Sequence, residues 1–340
     1  MFKPRVMRNV KVIDLTHRMF GKLVNLPIYI TATALGKLGH PEGEVVLTKA
    51  AGTKNIIQMM PTLASCSVAE MMDNALPGQE QWFQLYVNQD RVAVKKLLEK
   101  VESRGVRVLF VTVDAPSLGK REKDMRVKFV DDAPDESKHT ELNRTQGAAR
   151  AISTFIDPSL CWDDVSWFKA NTKMKIVLKG IQCGEDAVLA AQHGCDGIVV
   201  SNHGGRQLDT CRSGIEVLPE CIAALKEAGL RDKLQVFMDG GVRRGGDIFK
   251  ALALGADAVG LGRPFLYGMA SYGQQGVEKV IDILAEELTM TMRMCGVTNI
   301  KDIGPEYVLA NNLNSHIGVA PKGYGFSNAY ERMETIDSKL

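Results

Sequence analysis

The nine residues SNHGGRQLD (201–209) hold the densest chemistry in the chain. His203 can exchange a proton near neutral pH, and the two glycines behind it let a substrate approach the backbone. Arg206, three residues on, offers a planar fork that matches a carboxylate. Asp114 ends the apolar run VLFVTVD (108–114) and is suited to orient an imidazole and stabilise its protonated form. A second cluster combines glycine and arginine. DGGVRRGGD (239–247) and GLGRP (260–264) put backbone N–H groups where an anion can come close, and Arg243 and Arg263 add charge. That pattern calls for a phosphate. Lys179 closes the apolar run IVLKG and needs an anionic neighbour if it is buried. Three roles stay open for it: a Schiff base, a counter-charge for a cofactor ring, or a lysine reaching out to the rim. A base, its orienter, a carboxylate clamp and a phosphate-anchored cofactor together describe removal of a proton or hydride from a carbon beside a carboxylate.

These residues need elements to hold them. Short apolar runs rich in β-branched residues recur as PIYITA (27–32), NIIQMM (55–60), QWFQLYV (81–87), VLFVTVD (108–114), KIVLKG (175–180), GIVVSN (197–202), QVFMDGG (235–241) and AVGLGR (258–263). Such runs, apolar on both faces, read as buried parallel strands. Helical patterns lie between them, as in residues 90–105, 184–194 and 245–255. Eight strands alternating with helices over about 240 residues predict a TIM (β/α)8 barrel. A doubly wound sheet fits less well, because no G-x-G-x-x-G follows the first strand. In a barrel the strand exits face the site, and nearly every exit here is polar: Thr31 and Thr33, Gln84 and Tyr86, Thr112 and Asp114, Lys179, Ser201 to His203, Asp239, and Arg263.

One connection breaks the rhythm. Strands four and five are about 60 residues apart, far beyond an ordinary loop. This long insert, about 116–156, includes a charged stretch over 119–146 and reads as an excursion over the barrel mouth or a solvated surface loop. After strand eight a long helix is expected over 277–296, followed by a glycine- and asparagine-rich tail to Leu340 that would wrap a neighbouring subunit.

Composition excludes several classes. The 340 residues are 45% hydrophobic and 24% charged, which fits neither a disordered chain nor a coiled coil. No apolar run is long enough for a membrane helix. Forty-two basic against 40 acidic side chains argue against nucleic acid or an acidic membrane as partner. Seven cysteines without a C-x-x-C pair suggest reduced thiols and no metal site. The N-terminus lacks a signal core, so a cytoplasmic location is expected, or a mitochondrial one if a leader precedes the sequence.

At these motifs the sequence resembles the FMN-dependent α-hydroxy acid oxidoreductases, and among them the flavin domain of the flavocytochrome-type L-lactate dehydrogenases. TATALGKLG, TLASCS, WFQLYVN, VTVDAPSLGKREKDMR, SNHGGRQLD, DGGVRRG and GLGRPFLYG carry the resemblance. It implies His203 as the base, Asp114 as its partner, Tyr86 on the substrate, and Arg121 and Arg206 on its carboxylate. Lys179 would face the flavin N1/O2 edge. Thr31, Ala32, Thr33, Ala34, Pro61, Gln84 and Thr112 would line the FMN. Asp239, Gly240, Gly241, Val242 and Arg243, with Gly262 and Arg263, would bind ribityl and phosphate. Ala34 and Leu63 resemble positions that limit side-chain size, which favours a small L-2-hydroxy acid such as L-lactate. The resemblance also implies a homotetramer and an electron acceptor that is a cytochrome or oxygen. It leaves two alternatives: a 2-hydroxy acid oxidase, or a truncated chain with impaired catalysis. Pro61 departs from the family, where a serine often contacts the flavin. The reading further expects one FMN-binding domain over 1–340, without an upstream substrate tyrosine and without a haem domain.

Overall fold

In the computed structural model, which describes residues 1–119, 121, 156–311 and 313, an antiparallel hairpin precedes the barrel. It consists of β1 (His17–Met19) and β2 (Lys22–Val24). Then come β3 (Ile28–Ile30), β4 (Ile57–Met60), β5 (Gln81–Leu85), β6 (Val108–Thr112), β7 (Lys175–Ile181), β8 (Gly197–Val200), β9 (Gln235–Asp239) and β10 (Ala258–Leu261). These eight pair in parallel in chain order, and β10 returns to pair with β3, closing the barrel. The expected (β/α)8 architecture is present. Six of the eight strands stop before the apolar runs do, because their last residues leave the sheet at the mouth, and β4 ends with its run at Met60. β7 runs one residue further than expected.

Alternation within each strand sorts side chains to the two faces. Tyr29, Met59, Trp82, Phe110, Val177, Val199, Phe237 and Ala258 fill the barrel interior. Their neighbours, such as Ile30, Phe83, Leu109 and Leu178, pack outward against the helices. Aromatic residues are only 6% of the chain, yet four of them meet inside the barrel. The Trp82 ring lies 5.0 Å from Phe110 and 5.3 Å from Tyr29, tilted contacts worth about 1 kcal/mol each beyond their buried area. The hairpin plugs the floor. Met19 and Val24 join the inner cluster, and Phe20 packs 5.8 Å from Trp82 and 5.5 Å from Phe237.

The surrounding helices are α1 (Glu44–Lys54), α2 (Val68–Asp73), α3 (Arg91–Ser103), α4 (Asp164–Asn171), α5 (Gly184–Gln192), α6 (Gly214–Glu227), α7 (Gly245–Ala253) and α8 (Arg263–Cys295). Asp90 starts α3 by accepting the N–H groups of Val92 and Ala93 at 2.9 and 3.1 Å. Non-helical residues Tyr272 and Gly273 divide α8, so the expected helix over 277–296 lies in its second part, and a first part that was not expected starts at Arg263. Pro264 reads as a breaker in sequence, but it sits in the first helical turn, where no N–H is needed. Most of the insert, and the tail beyond residue 313, lie outside the described residues. No described helix is long and apolar enough to cross a membrane, and the described residues contain no cluster that could hold a metal. All seven cysteines are free, and burial pushes the thiols of Cys195 and Cys221 up to about 12.

Candidate active site

A step of two residues up a strand carries the side chain from the barrel interior to its mouth. Tyr29 leads to Thr31, Trp82 to Gln84 and Tyr86, and Phe110 to Thr112 and Asp114. Val177 leads to Lys179, Val199 to Ser201, and Phe237 to Asp239. The apolar layer below therefore sets the polar ring above.

Three of these residues form a line. The Nδ1 of His203 lies 3.1 and 3.2 Å from the two carboxylate oxygens of Asp114, and its Nε2 lies 3.1 Å from the Tyr86 hydroxyl. A proton on Nδ1 donated to Asp114 leaves Nε2 as the basic nitrogen facing Tyr86. His203 has a left-handed backbone, φ 58°, which costs a non-glycine residue about 1–2 kcal/mol. Its N–H donates to Ser201 Oγ at 3.0 Å, which holds that turn. Burial, then the positive charge of Lys179, pushes the His203 imidazole below its ordinary value, while Asp114 acts in the other direction. Burial alone would raise Asp114, but the hydrogen bond from His203 and the charge of Lys179 hold its carboxyl below the usual range. Burial also raises the Tyr86 phenol. The site thus presents a neutral imidazole, an ionised orienter and a neutral phenol at neutral pH.

The anionic partner that Lys179 requires is Asp239. Nζ lies 3.3 Å from Asp239 Oδ2, and both side chains are almost fully buried. Lysine at the rim is therefore the wrong reading. Ser201 donates to Asp239 Oδ1 and lies 3.4 Å from Nζ, and Thr31 donates to Oδ2 at 3.2 Å. Burial opposes the charge on Lys179, but Asp239 and then Asp114 outweigh it and raise the ammonium above its ordinary value. A Schiff-base lysine needs the free amine, so this pairing favours a fixed positive charge.

The other expected residues fall around this centre. Gln84 donates to Thr112 Oγ1 at 2.8 Å and accepts from the N–H of Thr62 at 3.2 Å. Arg121 donates through Nε to the Arg206 carbonyl at 3.1 Å and through Nη2 to Gln207 Oε1 at 3.1 Å. Arg263 is exposed and donates to the Gly204 carbonyl at 2.8 Å, which ties the loop after β10 to the loop bearing His203. Arg243 is exposed beside Gly240 and Gly241, while Val242 and Pro61 are buried. Ala32 and Thr33 continue from β3, and Ala34 is exposed at its exit. Leu63 sits on the neighbouring loop, where its carbonyl accepts the N–H of Leu35 at 3.3 Å. Gly262 follows β10 against the methyls of Thr31 and Thr33. Sequence reasoning missed Gln207, whose Nε2 donates to the carbonyls of Asp114 and Ser117 at 2.9 Å each. Its place within SNHGGRQLD was the available signal, but only the fold brings it against the loop after β6.

The chain matches the FMN-dependent dehydrogenase family over residues 1–310. L-lactate dehydrogenase (cytochrome) from Wickerhamomyces anomalus is 51% identical over 332 residues, covering 98% of this chain and 58% of that protein. The chain thus spans less than two thirds of that relative. 2-Hydroxyacid oxidase 1 from Mus musculus is 40% identical over 321 residues, covering 91% of this chain and 85% of that protein. The recombinant flavin-binding domain of baker's yeast flavocytochrome b2 superposes with a TM-score of 0.85 at 47% identity, covering 99% of this chain and 82% of that structure. The residues present fit FMN. Gly240 and Gly241 have φ of 90° and 79°, and a Cβ at Gly241 would meet nothing within 4 Å, so the backbone there is open to a phosphate flanked by Arg243 and Arg263. The buried Lys179 would offer the ring of FMN a positive charge as it gains electrons. The chain belongs to the FMN-dependent dehydrogenase family, and its cofactor is FMN.

Proposed function

We propose that the chain oxidises a small L-2-hydroxy acid, L-lactate to pyruvate, and passes the electrons from reduced FMN to an acceptor. The observation that carries this reading is the line Asp114–His203–Tyr86 beside the Lys179–Asp239 pair. FMN, when bound, supplies the two-electron acceptor. The chain's own residues do the rest. Arg206 and Arg121 hold the substrate carboxylate, and Ala34 and Leu63 bound its side chain. His203 Nε2 takes a proton, and Asp114 stabilises the imidazolium that results. Tyr86 donates a hydrogen bond to the substrate oxygen. His203→Gln should retain FMN and its yellow colour but lose anaerobic bleaching by L-lactate by at least ~100-fold. Bleaching at the native rate would overturn the assignment.

A second reading is a 2-hydroxy acid oxidase. It is favoured by coverage, since the chain spans 85% of the oxidase but only 58% of the lactate dehydrogenase. Hydrogen peroxide formed in step with pyruvate in air would support it. We infer further that residues 1–340 act as one FMN-binding barrel domain, supported by the closed barrel and the family match over 1–310. Assembly as a homotetramer belongs to the same reading.

A further inference from the structure

Glu44 takes no part in the line of residues at the mouth, yet its side chain is fully buried. It opens α1 and folds back over the helix start. Its Oε1 accepts the N–H of Gly36 at 2.7 Å and of Ser65 at 3.0 Å, and its Oε2 accepts that of Cys66 at 3.1 Å. Among the described residues it enters no ion pair, so backbone N–H groups and the N-terminus of α1 meet its charge. The donors come from two different loops. Gly36 lies two residues after Ala34 on the loop from β3, and Ser65 lies two residues after Leu63 on the loop from β4. Those loops also touch directly, Leu35 N–H to the Leu63 carbonyl at 3.3 Å and Lys37 N–H to Ser65 Oγ at 3.2 Å.

The helix start that carries this carboxylate is itself anchored. Gln58, on β4, donates to the Glu44 carbonyl at 3.1 Å and accepts from Thr48 Oγ1 at 2.6 Å and from Gln81 of β5 at 3.1 Å. A Cβ on Gly36 would lie 2.8 Å from the Glu44 carboxyl carbon, so the approach leaves no room for a side chain. We propose that Glu44 is a positioning residue that sets the gap between Ala34 and Leu63, and thereby the size limit on the substrate's side chain. This rests on the reading in which those two residues bound a 2-hydroxy acid.

The physical logic is one of matched donors. Glu44 offers acceptors only, and three N–H groups converge on it. In Glu44→Gln an NH2 group replaces one acceptor and faces a donor, so one loop must move. The experiment uses the FMN-loaded chain with L-lactate and L-2-hydroxyoctanoate. In Glu44→Gln the ratio of kcat/KM for hydroxyoctanoate over lactate should rise about tenfold. Amide exchange in peptides covering 34–37 and 63–67 should accelerate together. A lowered Tm with both the ratio and the exchange unchanged would overturn the proposal, because that is what a merely structural residue does. If Glu44→Gln does not fold, the native chain still decides: the two peptides must lose protection at one common denaturant concentration, and separate steps would overturn it. If the native protein oxidises no 2-hydroxy acid, the functional reading fails instead, and joint exchange still reports on the clamp.

Discussion

As the proposed base, His203 is tuned by what surrounds it. Burial and Lys179 depress its proton affinity, and Asp114 restores part of it. In the proposed reaction the active form is the neutral ring, so kcat/KM should be full above the His203 pKa and fall as pH drops through it. That inflection should lie below the ordinary imidazole value of 6.5. Lys179→Met removes a positive charge that lowers the His203 pKa, so the acid limb of its residual kcat/KM should move to higher pH. A limb that stays put or moves down would show that Lys179 does not act on His203 by charge. The residue types for this chemistry were readable from SNHGGRQLD and the strand exits. The pairing of Lys179 with Asp239 was not, since 60 positions separate them and only barrel closure makes them neighbours.

At the scale of elements, β7 shows how a strand aims a side chain. Its register with β8 shifts between Lys179 and Ile181, leaving Gly180 as an extra, unpaired residue with φ 118°. A Cβ on Gly180 would sit 2.5 Å from the Cβ of Asp114. Gly180→Ala should therefore push Asp114 away from His203 and lower kcat about 100-fold, with FMN still bound and far-UV circular dichroism unchanged. A kcat within about twofold of native would refute the steric argument. Apolar runs located all eight strands because a strand buried on both faces is apolar along most of its length. The bulge escaped that reading because a glycine after a lysine looks like a strand end. The first part of α8, before the break at Tyr272 and Gly273, escaped because propensity counts Pro264 against a helix regardless of its position in it.

The whole molecule adds a feature that neither scale contains: β1 and β2 shut the floor of the barrel below the mouth. His17 lies in that plug with no partner for either ring nitrogen among the described residues. Burial lowers its pKa first; Asp257 counteracts this, and Lys301 adds to it. The sign follows from linkage. Above pH 6.5 His17 is neutral in both states, and below it the unfolded chain takes the proton first, so stability falls as pH drops toward the folded value. His203 acts in the same direction. His17→Gln should narrow, without abolishing, the difference in urea midpoint between pH 8 and pH 5. An unchanged difference would mean that His17 takes its proton as readily in the folded state as in the unfolded chain. The sequence by itself determined the alternation of strands and helices and the inventory of histidine, carboxylates, arginines and glycine–arginine loops, because periodicity and residue chemistry are local. Only the tertiary structure decided which charges neutralise each other, which carbonyls Gln207 bridges, and that one buried carboxylate joins the loops of Ala34 and Leu63. These depend on closure of the barrel, which brings distant strand ends to within hydrogen-bonding distance in a place where water no longer competes.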